Sequence, residues 1–208
     1  MLQMYKVFSK ASSIIINSSD KNFIKDYKSV LIENEADMHK FTKNIFSDNI
    51  TGDYQLYSNS NIDVLELFKS QFDLMLAAGG VVNKTSCDER LILFIKRMGY
   101  WDFPKGKIEK NESIQTAALR EVMEETMIDK LEITRELPAS WHIYKDHNKW
   151  ILKKTYWFEM FTSSEKKLIP QTEEDIELAE WKKFSNAEKF MNKSYRSLRE
   201  CFKDYFNY

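Results

Sequence analysis

The 208-residue sequence predicts an α+β protein, in which short strands and helices are mixed along the chain. Two patterns support this fold class. Apolar and polar residues alternate over segments such as 150–161, which is typical of strands, and apolar residues recur at helical spacing over 37–46 and 186–206. A hydrophobic content of 43% is enough for one large core or two small ones.

Residues 1–71 are predicted to form a small α+β domain of their own. The pattern indicates a hairpin over 4–8 and 13–16, a buried strand over 29–33, a helix over 37–46, a strand over 54–57 and a helix over 61–68. The whole chain contains only five glycines and three prolines, so no flexible linker follows. We therefore expect a tight junction to a second domain, residues 72–208.

The second domain is predicted to contain strands over 74–82 and 90–96, separated by a polar turn over 83–88. A helix over 116–123 follows, with Ser113 as its N-cap. Further strands are indicated over 132–139, 141–144, 150–161 and 177–184. Residues 186–206 are helical by period, and their candidate core positions are Phe190, Leu198, Cys201, Phe202 and Tyr205.

Composition narrows the possible partners. Lysine plus arginine number 31 against 32 aspartates plus glutamates, which gives a net charge of −1 and no general attraction to nucleic acid. Cys87 and Cys201 are far apart in sequence, which argues against a disulfide scaffold or a structural zinc site. No apolar run approaches the length that spans a bilayer, and the first ten residues do not resemble an export signal. The expectation is a soluble cytoplasmic protein with no membrane partner; the balanced charge disfavours a nucleic-acid partner, although a local basic patch stays open.

Three carboxylates on the 116–123 helix and its extension suggest a metal site. At roughly 100° per residue, Glu121, Glu124 and Glu125 fall on one face. Carboxylates this close repel one another unless a cation lies between them, and oxygen ligands suit Mg²⁺, or alternatively Mn²⁺, better than zinc. The alternative is a solvated acidic surface without a ligand.

The segment from Gly106 to Ile128 resembles the signature of the Nudix hydrolases. The matching positions are Gly106, Glu112, Arg120, Glu121, Val122, Glu124, Glu125 and Ile128. Met127 departs from the signature, which has glycine there, and this predicts a changed helix exit without loss of a metal ligand. Residues 101–106 and 78–82 extend the resemblance, which covers about residues 75–190. It implies an α/β/α sandwich with a mixed sheet.

The resemblance also implies roles for individual residues. Glu121, Glu124 and Glu125 would bind the metal together with the carbonyl oxygen of Lys105, and Glu121 could also serve as the base. Arg120 would pair with Glu112 and hold the glutamate face in place. A further acid or base is expected from the acidic loop 173–175, where Glu174 is the preferred candidate. Gly106 would let the loop backbone approach the metal.

Residue chemistry indicates candidates for the substrate contacts. Lys105 and Arg97 are candidates for binding phosphates, and Trp101 and Tyr156 are candidates for stacking on a base. Against this, lysines and arginines are often only solvated, and aromatic residues in strands are often core. The expected partner is a small phosphoanhydride, and the sequence leaves a homodimer open.

A weaker resemblance, over residues 153–158 and onwards, is to the branch that cleaves diadenosine and diphosphoinositol polyphosphates. It makes a dinucleoside polyphosphate the leading substrate. The alternatives are ADP-ribose or another nucleotide sugar, RNA decapping, and a catalytically silent module that senses a nucleotide.

Overall fold

The computed structural model of the protein describes residues 5–9, 12–17, 23–47 and 49–207. Within them the strands, in chain order, are β1 Tyr5–Phe8, β2 Ser12–Ile16, β3 Lys28–Leu31, β4 Gly52–Tyr57, β5 Asp73–Ser86, β6 Glu89–Arg97, β7 Tyr100–Asp102, β8 Lys105–Lys107, β9 Leu131–Asp146, β10 Lys149–Thr162 and β11 Ile176–Lys183. The helices are α1 Glu35–Phe46, α2 Val64–Lys69, α3 Ile114–Thr126, α4 Ala187–Met191, α5 Arg196–Cys201 and α6 Lys203–Phe206. The predicted α+β class is confirmed.

The chain divides into two compact units, and the long β9–β10 hairpin contributes to both. The first unit consists of residues 1–75 and 141–153, and the second of residues 76–140 and 154–208. The hairpin tip thus belongs with the N-terminal elements. The division at residue 71 stays a prediction.

In the first unit the strand order is β10-β9-β1-β2-β4-β3. The predicted hairpin is present as β1 and β2, although its first residue, Met4, lies outside the described residues. The strand predicted over 29–33 as buried is largely exposed as β3, because among the described strands it forms the edge of this order, beside β4. The core combines Ile14, Met38, Leu56 and Phe68, all fully buried.

In the second unit the strand order is β11-β6-β5-β10-β9, with β7 beside β6 and β8 beside β5. Adjacent residues point to opposite faces of these strands. Val81 and Trp157 pack into a cluster with residues of α4, α5 and α6, whereas Val82 and Phe158 pack against α3. The result is strands with helices on both faces, the predicted sandwich.

Several boundaries differ from the predicted ones. The polar turn over 83–88 shrinks to Cys87 and Asp88, both with positive φ, because β5 continues to Ser86. Residues 131–146 form one strand instead of two. The C-terminal helix is broken into α4, α5 and α6, and at the first break the Trp101 N–H donates to the Lys193 carbonyl at 3.2 Å.

Candidate metal and catalytic site

A short strand and a helix bring the candidate site together. The Ser113 side chain accepts a hydrogen bond from the Thr116 N–H at 3.1 Å and so fixes the start of α3 as predicted. Beside this helix, β8 pairs with β5, with Gly106 opposite Ala78. A Cβ atom on Gly106 would lie 1.9 Å from Oε2 of Glu121, so only glycine allows this close approach.

Glu125 is the most constrained of the three helix glutamates. Its side chain is fully buried, and Oε2 accepts a hydrogen bond from the Lys105 N–H at 2.9 Å. Oε1 has no hydrogen-bond partner among the described residues. Burial raises the pKa of this carboxyl to about 8, although the nearby Lys105 opposes the shift. A buried carboxylate with an unpaired oxygen requires either a proton or a cation.

Glu121 lies next to this group and is also buried. Its Oε1 accepts a hydrogen bond from Nη1 of Arg120 at 2.7 Å, while Oε2 faces the Gly106 backbone. Burial is the main cause that raises the pKa of Glu121, and the negative charge of Glu174 adds to it. Glu174 acts on the pKa of Glu125 in the same direction. The charge of Glu174 therefore disfavours ionisation of both buried glutamates.

Arg120 connects the acidic side chains of the site. Its Nε and Nη2 donate to the two oxygens of Glu112 at 2.8 and 2.9 Å, so the predicted contact is formed. Its Nη1 also donates to Glu124 at 2.8 Å, and Nη2 donates to the Lys107 carbonyl at 3.0 Å. The pairing with Arg120 lowers the pKa of Glu112 to about 2. One guanidinium thus holds Glu112, which precedes α3, together with Glu121 and Glu124 on the acidic face of that helix.

The oxygen atoms at this site fit a hard divalent cation in their chemistry. In the described part of the chain, no three acidic, imidazole or thiol side chains converge into a ready-made metal cluster. Glu121 and Glu124 are instead ion-paired with Arg120. Glu124 is about half exposed, at 49%, and can turn without disturbing the core. The unpaired Oε1 of Glu125 and Oε2 of Glu121 supply buried carboxylate oxygens, the donors that Mg²⁺ and Mn²⁺ prefer.

The two predicted phosphate-binding cations have different surroundings. Nζ of Lys105 is 2.5 Å from Oδ2 of Asp102, and both side chains are largely buried. Arg97 is more exposed, with Nη1 4.0 Å from Oε2 of Glu174. Arg97 therefore has more freedom to meet a ligand than Lys105. Sequence reasoning missed the partner of Lys105, Asp102, although it lies in the loop segment that supports the resemblance.

The two predicted stacking residues do not lie together. Trp101 packs edge-on against Phe190 and Phe94 in the cluster around α4 to α6. Tyr156 belongs to the cluster around α3, and Nζ of Lys154 lies 4.1 Å from its ring centroid. These clusters occupy opposite faces of the strands, so the two rings cannot hold one base between them.

None of the helices in the described ranges has both the length and the apolar character that a membrane span requires.

Comparison with known proteins identifies the segment that contains this site. The family model described as NUDIX domain matches residues 74–202, more than half of the chain. An RNA pyrophosphohydrolase of a Nitratiruptor species is 42% identical over 82 residues, 38% of this chain and 52% of the relative. An 8-oxo-dGTP diphosphatase of Proteus vulgaris is 39% identical over 64 residues, 27% of this chain and 54% of the relative. The chain thus spans about half the length of these curated relatives.

A solved structure supports the fold. The Nudix hydrolase RenU of M. Smegmatis aligns with a TM-score of 0.50 at 12% identity, over 64% of this chain and 84% of that structure. At this identity the likeness concerns the fold alone.

Proposed function

Since the chain belongs to the Nudix family, we propose that it hydrolyses a phosphoanhydride bond in a compound that contains a linked nucleoside diphosphate. The observation that carries this proposal is Glu125, a buried carboxylate fixed by the Lys105 N–H on one oxygen and, within the described part of the chain, without a hydrogen-bond partner on the other. A protein that only displayed an acidic surface would leave such a group in water. In this protein the Glu125 carboxylate is buried beside Glu121, although its burial lowers the free energy of unfolding.

Glu121, Glu124 and Glu125 would hold Mg²⁺, or alternatively Mn²⁺, with the carbonyl of Lys105 as a further ligand. When bound, the metal would supply a Lewis acid for the negative oxygens of the diphosphate. Around it, Arg120 keeps Glu121 oriented through one hydrogen bond while Glu112 fixes the guanidinium. The backbone N–H of Lys105 fixes the other buried carboxylate.

Proton transfer is assigned to the acidic groups around this pair. Glu121 is the first candidate for the base, because its pKa is raised by burial and its Oε2 faces the loop. Glu174 is the second candidate, because its charge reaches both buried glutamates and its side chain is 41% exposed. Arg97, 4.0 Å from Glu174, would counter the charge of the substrate phosphates.

A dinucleoside polyphosphate remains the leading substrate. A second candidate is RNA with a phosphoanhydride bond at its 5′ end, such as 5′-triphosphorylated RNA, because the Nitratiruptor relative, 42% identical over 82 residues, is an RNA pyrophosphohydrolase. ADP-ribose and other nucleotide sugars complete the range of substrates. A silent sensing module is disfavoured, since all three helix glutamates are retained. A cytoplasmic location and a homodimer also remain proposals.

The test is a substrate panel with Mg²⁺ and chromatographic separation of the products. The panel contains diadenosine tetraphosphate, 5′-triphosphorylated RNA, ADP-ribose and 8-oxo-dGTP. We expect turnover of at least one compound, loss of turnover when Mg²⁺ is chelated, and a decrease of about 100-fold or more in Glu125→Gln. A panel returned intact while nucleotide binding is measurable would replace the enzyme by a sensor. Undiminished turnover in Glu125→Gln would remove that residue from the site.

A further inference from the structure

Two exposed tyrosines form a stacked pair on the second unit. The ring centroids of Tyr100 and Tyr195 are 4.6 Å apart, and the ring planes differ by 26°. In spite of this contact, Tyr100 is 49% exposed and Tyr195 is 38% exposed. Aromatic side chains of this size usually bury most of their surface, so an exposed pair marks a surface that a ligand can cover.

The backbone holds the pair in place. Tyr100 begins β7 and lies opposite Arg97 of the neighbouring antiparallel strand β6. Tyr195 follows the segment after α4, where Ser194 forms a bridge with Trp101. The two rings come from segments almost a hundred positions apart, yet both are attached to the same short strand. A surface fixed in this way is available before a ligand arrives.

The pair lies beside the charged groups of the site. Burial is the main cause that raises the pKa of Tyr195, and the charges of Asp102, Lys105 and Arg97 act on it as well. Lys105 is the residue whose N–H holds Glu125, and Arg97 is 4.0 Å from Glu174. The tyrosine pair therefore lies beside the partly exposed Arg97, which is paired with Tyr100 across the strands and approaches Glu174.

We propose that the Tyr100–Tyr195 pair binds the nucleobase of the substrate by stacking, with Arg97 contacting the attached phosphates. This inference rests on the proposed function and specifies the part of the substrate that the protein recognises. A planar base fits because it stacks on tyrosine rings with little dependence on its identity. The phosphates fit because Arg97, which is more exposed than Lys105, is paired with Tyr100 across the strands and approaches Glu174.

The geometry also indicates how the base would lie. The rings are already in contact at 4.6 Å, so a base cannot enter between them without separating them. An exposed ring face of the pair is the place for stacking. Trp101, the neighbour of Tyr100, cannot take this role as readily, because Phe190 contacts its ring and Nζ of Lys182 lies 5.2 Å from its centroid.

The experiment measures binding of two probes, ADP and inorganic pyrophosphate, by titration calorimetry. ADP has a base and pyrophosphate has none. In Tyr100→Ala and in Tyr195→Ala we expect ADP affinity to fall by about 10-fold, within the range for loss of base stacking, and pyrophosphate affinity to stay unchanged. Tyr195→Phe should restore ADP binding. In Arg97→Gln we expect affinity for both probes to fall, since both carry phosphates.

Phe23→Ala is the matched control, because Phe23 is 56% exposed, contacts another ring, that of Tyr57, and lies in the first unit. Circular dichroism checks that each variant is folded. The inference is overturned if the alanine variants bind ADP as wild type does, if they lose both probes equally, or if wild type binds pyrophosphate but not ADP. Failure of the proposed function has a different signature, an intact substrate panel, while ADP binding that depends on the tyrosines would still support the base site.

Discussion

Replacing Glu125 by glutamine should stabilise the metal-free protein at alkaline pH. The pKa of Glu125 is raised from 4.5 to about 8, mainly by burial. The folded-state pKa lies above the unfolded value, so the contribution of the protonated Glu125 carboxyl to the free energy of unfolding is fully present below about pH 4.5. This contribution is lost as the pH rises through about 8. The shift corresponds to an upper bound of about 5 kcal/mol in the free energy of unfolding.

Glutamine keeps the size of the side chain and can accept the hydrogen bond from the Lys105 N–H. It also removes the charge that burial disfavours. We therefore expect wild type and Glu125→Gln to differ by less than about 1 kcal/mol near pH 5, and the variant to be more stable by about 2–5 kcal/mol near pH 8.5. At the higher pH, Mg²⁺ should raise the stability of wild type and leave that of the variant unchanged.

The assay is urea unfolding followed by circular dichroism in EDTA at the two pH values, then with Mg²⁺. Glu136→Gln is the control, because Glu136 is an exposed carboxylate of the same unit. The reasoning about burial is refuted if the stability difference between wild type and Glu125→Gln is the same at both pH values. A stabilisation by Mg²⁺ that persists in the variant would refute the metal role separately.

Further predictions concern the loop and the helix ends. Gly106→Ala should abolish turnover with a small change in stability, because the atoms nearest its Cβ belong to the carboxylate end of a side chain, that of Glu121, and not to the backbone. Gly79→Ala, whose Cβ would lie 2.3 Å from a backbone oxygen, should lower the free energy of unfolding by about 1–3 kcal/mol. Activity assays and urea titrations distinguish the two, and equal stability losses would contradict the contrast. Met127→Gly should raise the free energy of unfolding by about 1 kcal/mol, because Met127 is the exposed C-cap of α3 and has a left-handed backbone with φ 58°. No gain in the urea midpoint would show that the backbone at this position is unstrained. Ser113→Ala should cost about 1 kcal/mol in the same titration through loss of the α3 cap, and an unchanged midpoint would exclude that contribution.

Local patterns predicted the elements that are long and periodic. The start of α3 at Ser113 and the acidic face of that helix followed from residues close together in the chain, whereas the sandwich was implied by the family resemblance. The short strands β7 and β8 were not predicted, because three residues are too few to show a period. The breaks in the C-terminal helix were not predicted, because the first of them is stabilised by a contact of segment 193–194 with Trp101, which is distant in sequence.

The sequence by itself determined which side chains are proposed to carry the chemistry, since the spacing from Gly106 to Glu125 places a glycine and three carboxylates in one loop and helix. Only the tertiary structure decided their states. Burial beside β8 left one oxygen of Glu125 unpaired, and Arg120 took up Glu121 and Glu124. The tertiary structure also brought the ring of Tyr195 into contact with that of Tyr100. The physical reason is that desolvation and contacts between distant segments depend on three-dimensional packing, which no local period records.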